Sequence, residues 1–87
     1  MLASDTAPDG FRHLSAGDVM RRIGERVDVV KRGTNWRGEY VELAALDSGE
    51  LLLWVQPNGK GAKQLGLYGA RREESALEHF AAVMGAN

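Results

Sequence analysis

At 87 residues the chain has room for one domain and one core, because the buried share of a protein's surface shrinks as chains shorten. A composition 44% hydrophobic and 26% charged is too apolar for a chain disordered throughout, and a formal net charge of −1 excludes a strong overall pull toward polyanions. With no cysteine, disulfides, thiolate zinc sites and cysteine nucleophiles are excluded on chemical grounds. No apolar run approaches the roughly 20 residues that cross a bilayer. Met1 to Gly10 also lacks the basic end and apolar stretch of a signal peptide. These features lead to the expectation of a cytoplasmic protein with no membrane partner.

Residues 1–10 hold Ser, Asp, Thr, Ala, Pro and Gly without apolar periodicity and are expected to form a flexible tail, leaving 11–87 as a single domain. Phe11 and Leu14 are placed to pin the tail's end to the core. Ser15 is a favourable N-cap, with Asp18 three residues on and Val19, Met20, Ile23 and Val27 at helical spacing, so a first helix is predicted over Ala16–Ile23. Gly24 can close it in the left-handed conformation, after which the β-branched Val27–Val30 leaves as a strand. An alternative carries the helix on to Val27 at a cost of about 1 kcal/mol for the internal glycine. Gly33 to Gly38 reads as a loop that carries Trp36 outward or over a core edge.

Three strand-like runs follow: Glu39–Leu46, Glu50–Gln56 and Ala62–Gly69. Asp47-Ser48-Gly49 suits a tight hairpin with Gly49 at positive φ, and Asn58-Gly59 is the pair of a second hairpin turn. Alternation places Val41, Leu43 and Ala45 on one face with Leu51, Leu53 and Val55. Tyr40, Glu42, Leu52, Trp54 and Gln56 take the other. Glu73–Met84 closes the chain as a helix with an apolar stripe of Leu77, Phe80, Ala81 and Met84. The predicted fold is therefore α+β, an antiparallel meander of three to four strands between two helices, in the order α-β-β-β-β-α.

Little here assembles into catalytic or metal chemistry. His13 and His79 are the only histidines, and with no cysteine and scattered carboxylates they supply no ligand set, so no metal and no cofactor are expected. His79 reads as a flank of the closing helix's stripe. Ser4, Ser15, Ser48 and Ser75 sit in a tail, a cap, a turn and a helix start, where serine is favoured for structural reasons. Glu39, Glu42 and Glu50 are the one set that a hairpin could bring together as paired carboxylates, against the simpler reading of a solvated sheet face. Asn58-Gly59-Lys60-Gly61 resembles a phosphate loop in composition alone, because a strand rather than a helix follows it. A non-enzymatic protein is the expectation.

Charge is segregated along the chain: seven basic residues against three acidic between Arg12 and Arg37, then Glu39, Glu42, Asp47 and Glu50 without a base among them. Basic and aromatic side chains interleave around the first loop. Lys31, Arg32, Trp36 and Arg37, with Lys60 and Lys63, form a candidate nucleic-acid surface in which cations neutralise phosphates and a ring stacks a base. The competing surface is apolar: Tyr40, Leu52 and Trp54 stand on the face opposite the closing helix, which the first helix either covers or leaves open. Trp36, Arg37, Tyr40, Leu52 and Trp54 are accordingly the candidate contacts of a binding or adaptor module acting on a protein partner or on a second copy of itself.

Gly33-Thr34-Asn35-Trp36-Arg37-Gly38, followed by a hairpin ending in Leu65-Gly66-Leu67-Tyr68-Gly69 and a closing helix, somewhat resembles the zinc-binding domain of bacterial-type DNA primases over about the last two thirds of the chain. That family holds its zinc with Cys and His residues. None of the Cys ligands is present here, so the resemblance does not carry the zinc or its role.

Overall fold

The computed structural model describes residues 10–57 and 64–85; all but Gly10 of the expected tail over 1–10, the Asn58-Gly59 turn, and Lys60, Ala62 and Lys63 lie outside the described residues. The elements run β1 (Phe11–His13), α1 (Ala16–Ile23), β2 (Arg26–Thr34), β3 (Tyr40–Leu46), β4 (Leu51–Gln56), β5 (Gln64–Tyr68) and α2 (Glu73–Met84). All five strands join one antiparallel sheet in the order β1-β5-β4-β3-β2. The α+β reading holds, with one strand added in front of it. Three residues are too short to show a period, and β1 exists because Gly66 lets it approach: a Cβ on Gly66 would collide with the Arg12 carbonyl oxygen.

The first helix begins where its cap dictates. Ser15 Oγ accepts from the Asp18 N–H at 3.2 Å, and Asp18 forms an ion pair with Arg21 one turn on. Gly24 closes the helix in the right-handed region at φ −67°, not in the left-handed conformation expected of it. The β2 strand then extends well past Val30, to Thr34. Gly49 takes φ +93° in the turn between β3 and β4, as its sequence context requires.

Pairing of Val41, Leu43 and Ala45 with Val55, Leu53 and Leu51 confirms the alternation. On that face Val41, Leu43, Leu51, Leu53, Val55 and Tyr68 pack against Ala76 and Phe80 of α2. The inward stripe of α2 is rotated from the predicted one: Ala76 and Phe80 are buried, Leu77, Val83 and Met84 flank them, and Ala81 points to solvent. On the other face Leu46, Leu52, Trp54 and Leu67 pack against Val19, with Leu14, Ile23 and Tyr40 at the margin. Burying side chains of this size stabilises by about 1.5–3 kcal/mol each, so each helix is held mainly by its apolar face.

The structure decides between the two alternatives left open for this face. The Tyr40/Leu52/Trp54 face is not left open, because α1 lies over β4 and β5 and leaves Leu52 fully buried and Trp54 6% exposed. A partner would reach these two side chains only if α1 moved away.

Candidate interaction surface

With the α1-covered face set aside, the exposed large apolar side chains among the described residues are Trp36 in the β2–β3 loop, Val27 and Val29 on the β2 edge, and Met20 on the outer side of α1. The loop is built around Asn35, which is buried. Its Oδ1 accepts from the backbone N–H groups of Arg37 and Glu39, both at 2.9 Å, and its Nδ2 donates to Glu39 Oε1 at 2.9 Å and to the Val83 carbonyl at 3.1 Å. Asparagine can make all four bonds because its amide carries an acceptor and two donors on one short stem. The loop is thereby tied to the last turn of α2. Gly38 takes φ +80°, closing the turn with its N–H on the Asn35 carbonyl.

Trp36 projects from this fixed base and is 73% exposed. The guanidinium carbon of Arg37 lies 4.9 Å from the indole ring centroid, a cation–π arrangement. The edge of the indole sits flush on Gly85, the left-handed cap of α2, where a Cβ would collide with it. An exposed aromatic is thus held on two sides without being covered. Of the residues that organise it, sequence reasoning had placed Asn35 only as a turn former and had not singled out Gly85; the dependence of each on α2 is a contact between distant parts of the chain.

The β2 strand is the neighbouring feature. It breaks register with β3 twice, between Arg26 and Asp28 and between Val29 and Lys31, so Val27 and Val30 are extra residues. Val30 turns toward the α2 core, while Val27 and Val29 stay exposed. Lys31, Arg32, Gly33 and Thr34 then pair in unbroken register with Leu43, Glu42, Val41 and Tyr40. A trough of about 890 Å³ runs beside the strand, lined by Ile23, Gly24 and residues 26–32. Being walled almost entirely by consecutive residues of one strand, it is an open channel along an edge rather than a closed small-molecule pocket.

Four of the described cations are paired. Arg12, Arg21, Arg22 and Arg26 each have a carboxylate within 4.0 Å: Glu50, Asp18, Glu25 and Glu42 respectively. Among the described residues, Lys31, Arg32 and Arg37 form no ion pair within 4.0 Å and are exposed around the loop and the β2 edge, Arg32 bonding the Tyr40 hydroxyl there; exposed Arg71, ahead of α2, forms none either. Of the predicted nucleic-acid residues, Arg37 stacks on Trp36, while Lys31 and Arg32, consecutive on β2, project to opposite faces of the sheet; Lys60 and Lys63 lie outside the described residues.

The three carboxylates considered as an acid–base set are separated. Glu39 bonds Asn35 at one end of the β3–β4 hairpin, and Glu50 accepts from Ser48 Oγ at 3.1 Å at the other. Glu42 is not solvated but buried, 1% exposed, with Tyr40 Oη on Oε1 at 2.5 Å and Arg26 Nη1 on Oε2 at 2.6 Å. Burial pushes the Tyr40 hydroxyl above its ordinary pKa, the Glu42 bond and charge add to that, and Arg32 opposes it. Arg26 also donates Nε to the Ile23 carbonyl at 2.9 Å, so one side chain ties α1, β2 and β3 together.

At the far edge, His79 Nδ1 lies 2.8 Å from the hydroxyl of buried Tyr68, and Phe11 contacts the rings of His13, Tyr68 and His79. His79 is thus part of an aromatic cluster that docks β1, and more than a flank of the helix stripe. Burial, followed by the charge of His13, lowers its pKa. Burial, followed by Glu78, pushes Tyr68 up to about 12. No helix among the described residues is long and apolar enough to cross a membrane.

No family model, curated protein or solved structure matches the chain. The resemblance to the primase zinc-binding domain accordingly brings no residue role with it.

Proposed function

We propose that this chain is a small non-enzymatic binding module whose contact surface is the Trp36 loop with the adjoining β2 edge, and whose partner is a protein. The observation that carries the reading is the immobilised exposure of Trp36: 73% open to solvent, yet bracketed by Arg37 and Gly85 on a loop pinned through Asn35. Tryptophan and arginine dominate the energetics of protein interfaces. A side chain already fixed in the unbound state loses little further freedom on binding, which favours affinity.

The test is site-specific photo-crosslinking in cells of the source organism, with the crosslinking residue at position 36 or at the exposed Ala82 of α2. A discrete protein adduct from position 36 and none from position 82 is the expected result; an adduct at twice the chain's mass identifies a second copy. Identical adducts from both positions, or none from either, sink the reading.

The exposure of Lys31, Arg32 and Arg37 around the loop and the β2 edge, with no ion pair within 4.0 Å among the described residues, favours a second reading, a single-stranded nucleic acid stacked on Trp36. That reading expects a labelled oligothymidylate to bind at low salt, to release as salt rises, and to bind more weakly to Arg37→Ala. No anisotropy change at low salt eliminates it.

A further inference from the structure

We infer that the protein partner docks as an extended, acidic segment added as a strand to the outer edge of β2 between Lys31 and Thr34. This rests on the reading of the Trp36 loop as a protein-binding surface and says how the partner is held. The first argument is the hydrogen-bond phase of the edge. Asn35 N–H donates to the Glu39 carbonyl at 2.9 Å, which fixes that position as one where β2 faces β3. Antiparallel ladders alternate, so Gly33 and Lys31 also turn their backbone groups toward β3. The N–H and C=O of Arg32 and Thr34 therefore point away from the sheet. They are two donors and two acceptors in strand register, which another strand satisfies and a nucleic-acid backbone, with acceptors only on its phosphates, does not.

The second argument is where the edge is open. Bulges and short length are the usual protections of an edge strand. The β2 strand has bulges at Val27 and Val30, while its Lys31–Thr34 stretch is regular and leads straight into the Trp36 loop. Beyond the bulges an added chain would leave the ladder and lie in the trough over exposed Val27 and Val29.

Charge selects the occupant. Among the described residues, Lys31 and Arg37 form no ion pair, and Arg32, though opposite Glu42 in the ladder and bonded to the Tyr40 hydroxyl, forms none within 4.0 Å, so acidic side chains opposite them gain attraction. A second copy pairing β2 against β2 would instead bring two cationic stretches together. Asp28, also exposed, favours a neutral residue at the trough end.

The probe is a blocked peptide alternating Glu and Val, of about seven residues, the length of an ordinary strand. It is titrated into the labelled protein while amide exchange is followed by NMR. Protection of the Arg32 and Thr34 N–H groups is expected. Thr34→Pro removes one outward donor without removing a ladder bond, and weakens binding about fivefold to tenfold. Methylating alternate peptide nitrogens does the same with the unmodified protein, so the outcome does not depend on how the proline variant folds. Replacing Glu by Lys in the peptide abolishes the shifts.

Binding that is indifferent to N-methylation, or shifts at Trp36 without protection at Arg32 and Thr34, overturns strand addition. So does an oligothymidylate that binds where the peptide fails. If position 36 still crosslinks to a protein in those cases, the module reading stands and only its mode of docking falls.

Discussion

β1 meets β5 along three residues and is clamped there by Phe11, whose ring lies 5.0 Å from Tyr68 and 4.8 Å from His79. β2 runs nine residues beside β3, slips register twice, and is fastened by a charge, Arg26 on Glu42. The first edge is short and held by close contact of rings and a glycine; the second is long, bulged and tied by a polar triad around one buried carboxylate. An edge held by rings is insensitive to salt but sensitive to any added volume. An edge whose bulged start is tied by one buried carboxylate is sensitive to that group even though the ladder continues beyond it. The contrast also locates the proposed function, because β1 is too short to offer a ladder and β2 retains a regular stretch that does.

The largest expected effect breaks the second edge. Glu42→Ala removes a carboxylate only 1% exposed and leaves the half-buried Tyr40 hydroxyl and the Arg26 guanidinium without their shared acceptor; because the Arg26 side chain is 35% exposed and water can reach it, a loss of about 2–3 kcal/mol is expected in urea denaturation. Amide exchange is expected to accelerate along β2 while β1 and β5 keep their protection. Uniform acceleration across the sheet would show that the triad supports the whole core and not one edge.

Gly66→Ala attacks the first edge. The added methyl meets the Arg12 carbonyl, and overpacking of this kind costs about 2 kcal/mol. The Leu14 N–H, bonded to the Leu65 carbonyl at 2.9 Å, reports the separation of the two chains and is expected to exchange faster, with β2 unchanged. A variant as stable as the parent would mean that β1 can shift outward without loss.

These two edges are also where the sequence was least informative. The alternation of Val41, Leu43 and Ala45 against Tyr40 and Glu42 reads directly, because the strands they lie on pair without a slip. The cap at Ser15 and the closing helix read directly as well, since their signals are local. β1 does not, because its partner glycine lies 54 positions from Arg12 (66 − 12) and three residues carry no period. The bulges in β2 defeat a two-residue alternation outright. Glu42 was read as a solvated carboxylate because its cation, Arg26, sits 16 residues away across a register slip. The glycines around Trp36 marked its loop but left open whether the ring pointed outward or over a core edge, and the cover over Trp54 depended on where α1 docks, which no local pattern fixes.

Acidification sharpens the comparison from the β1 side. His79 faces Tyr68 from β5 and His13 from β1, and Glu78 acts on Tyr68 from its own helix. In the unfolded chain the imidazole takes its proton near 6.5; in the folded protein it does so at lower pH, because burial and then the His13 charge disfavour the cation. Between those two values the folded state binds fewer protons. Stability is therefore complete above pH 6.5, declines as pH falls toward the folded value, and levels below it. His79→Gln is expected to flatten that slope in a pH series of denaturation midpoints. The protection factor at Leu14, corrected for the intrinsic slowing of exchange in acid, is expected to fall in the parent while that of β2 stays constant.

The smallest effect belongs to Arg12, whose side chain approaches Glu50 at 4.0 Å and is 63% exposed. Surface pairs of this kind contribute about 0.5 kcal/mol or less, because water screens them and holding two long side chains costs entropy. Arg12→Ala is expected to move the urea midpoint by little more than the error of the measurement, and by less still at high salt. The residue nevertheless sits at the centre of the β1–β5 pairing, opposite Leu67, with its carbonyl against Gly66. Its main chain, not its guanidinium, holds the edge. A loss approaching that of Gly66→Ala would reverse this assignment and make the first edge, like the second, one fastened by charge.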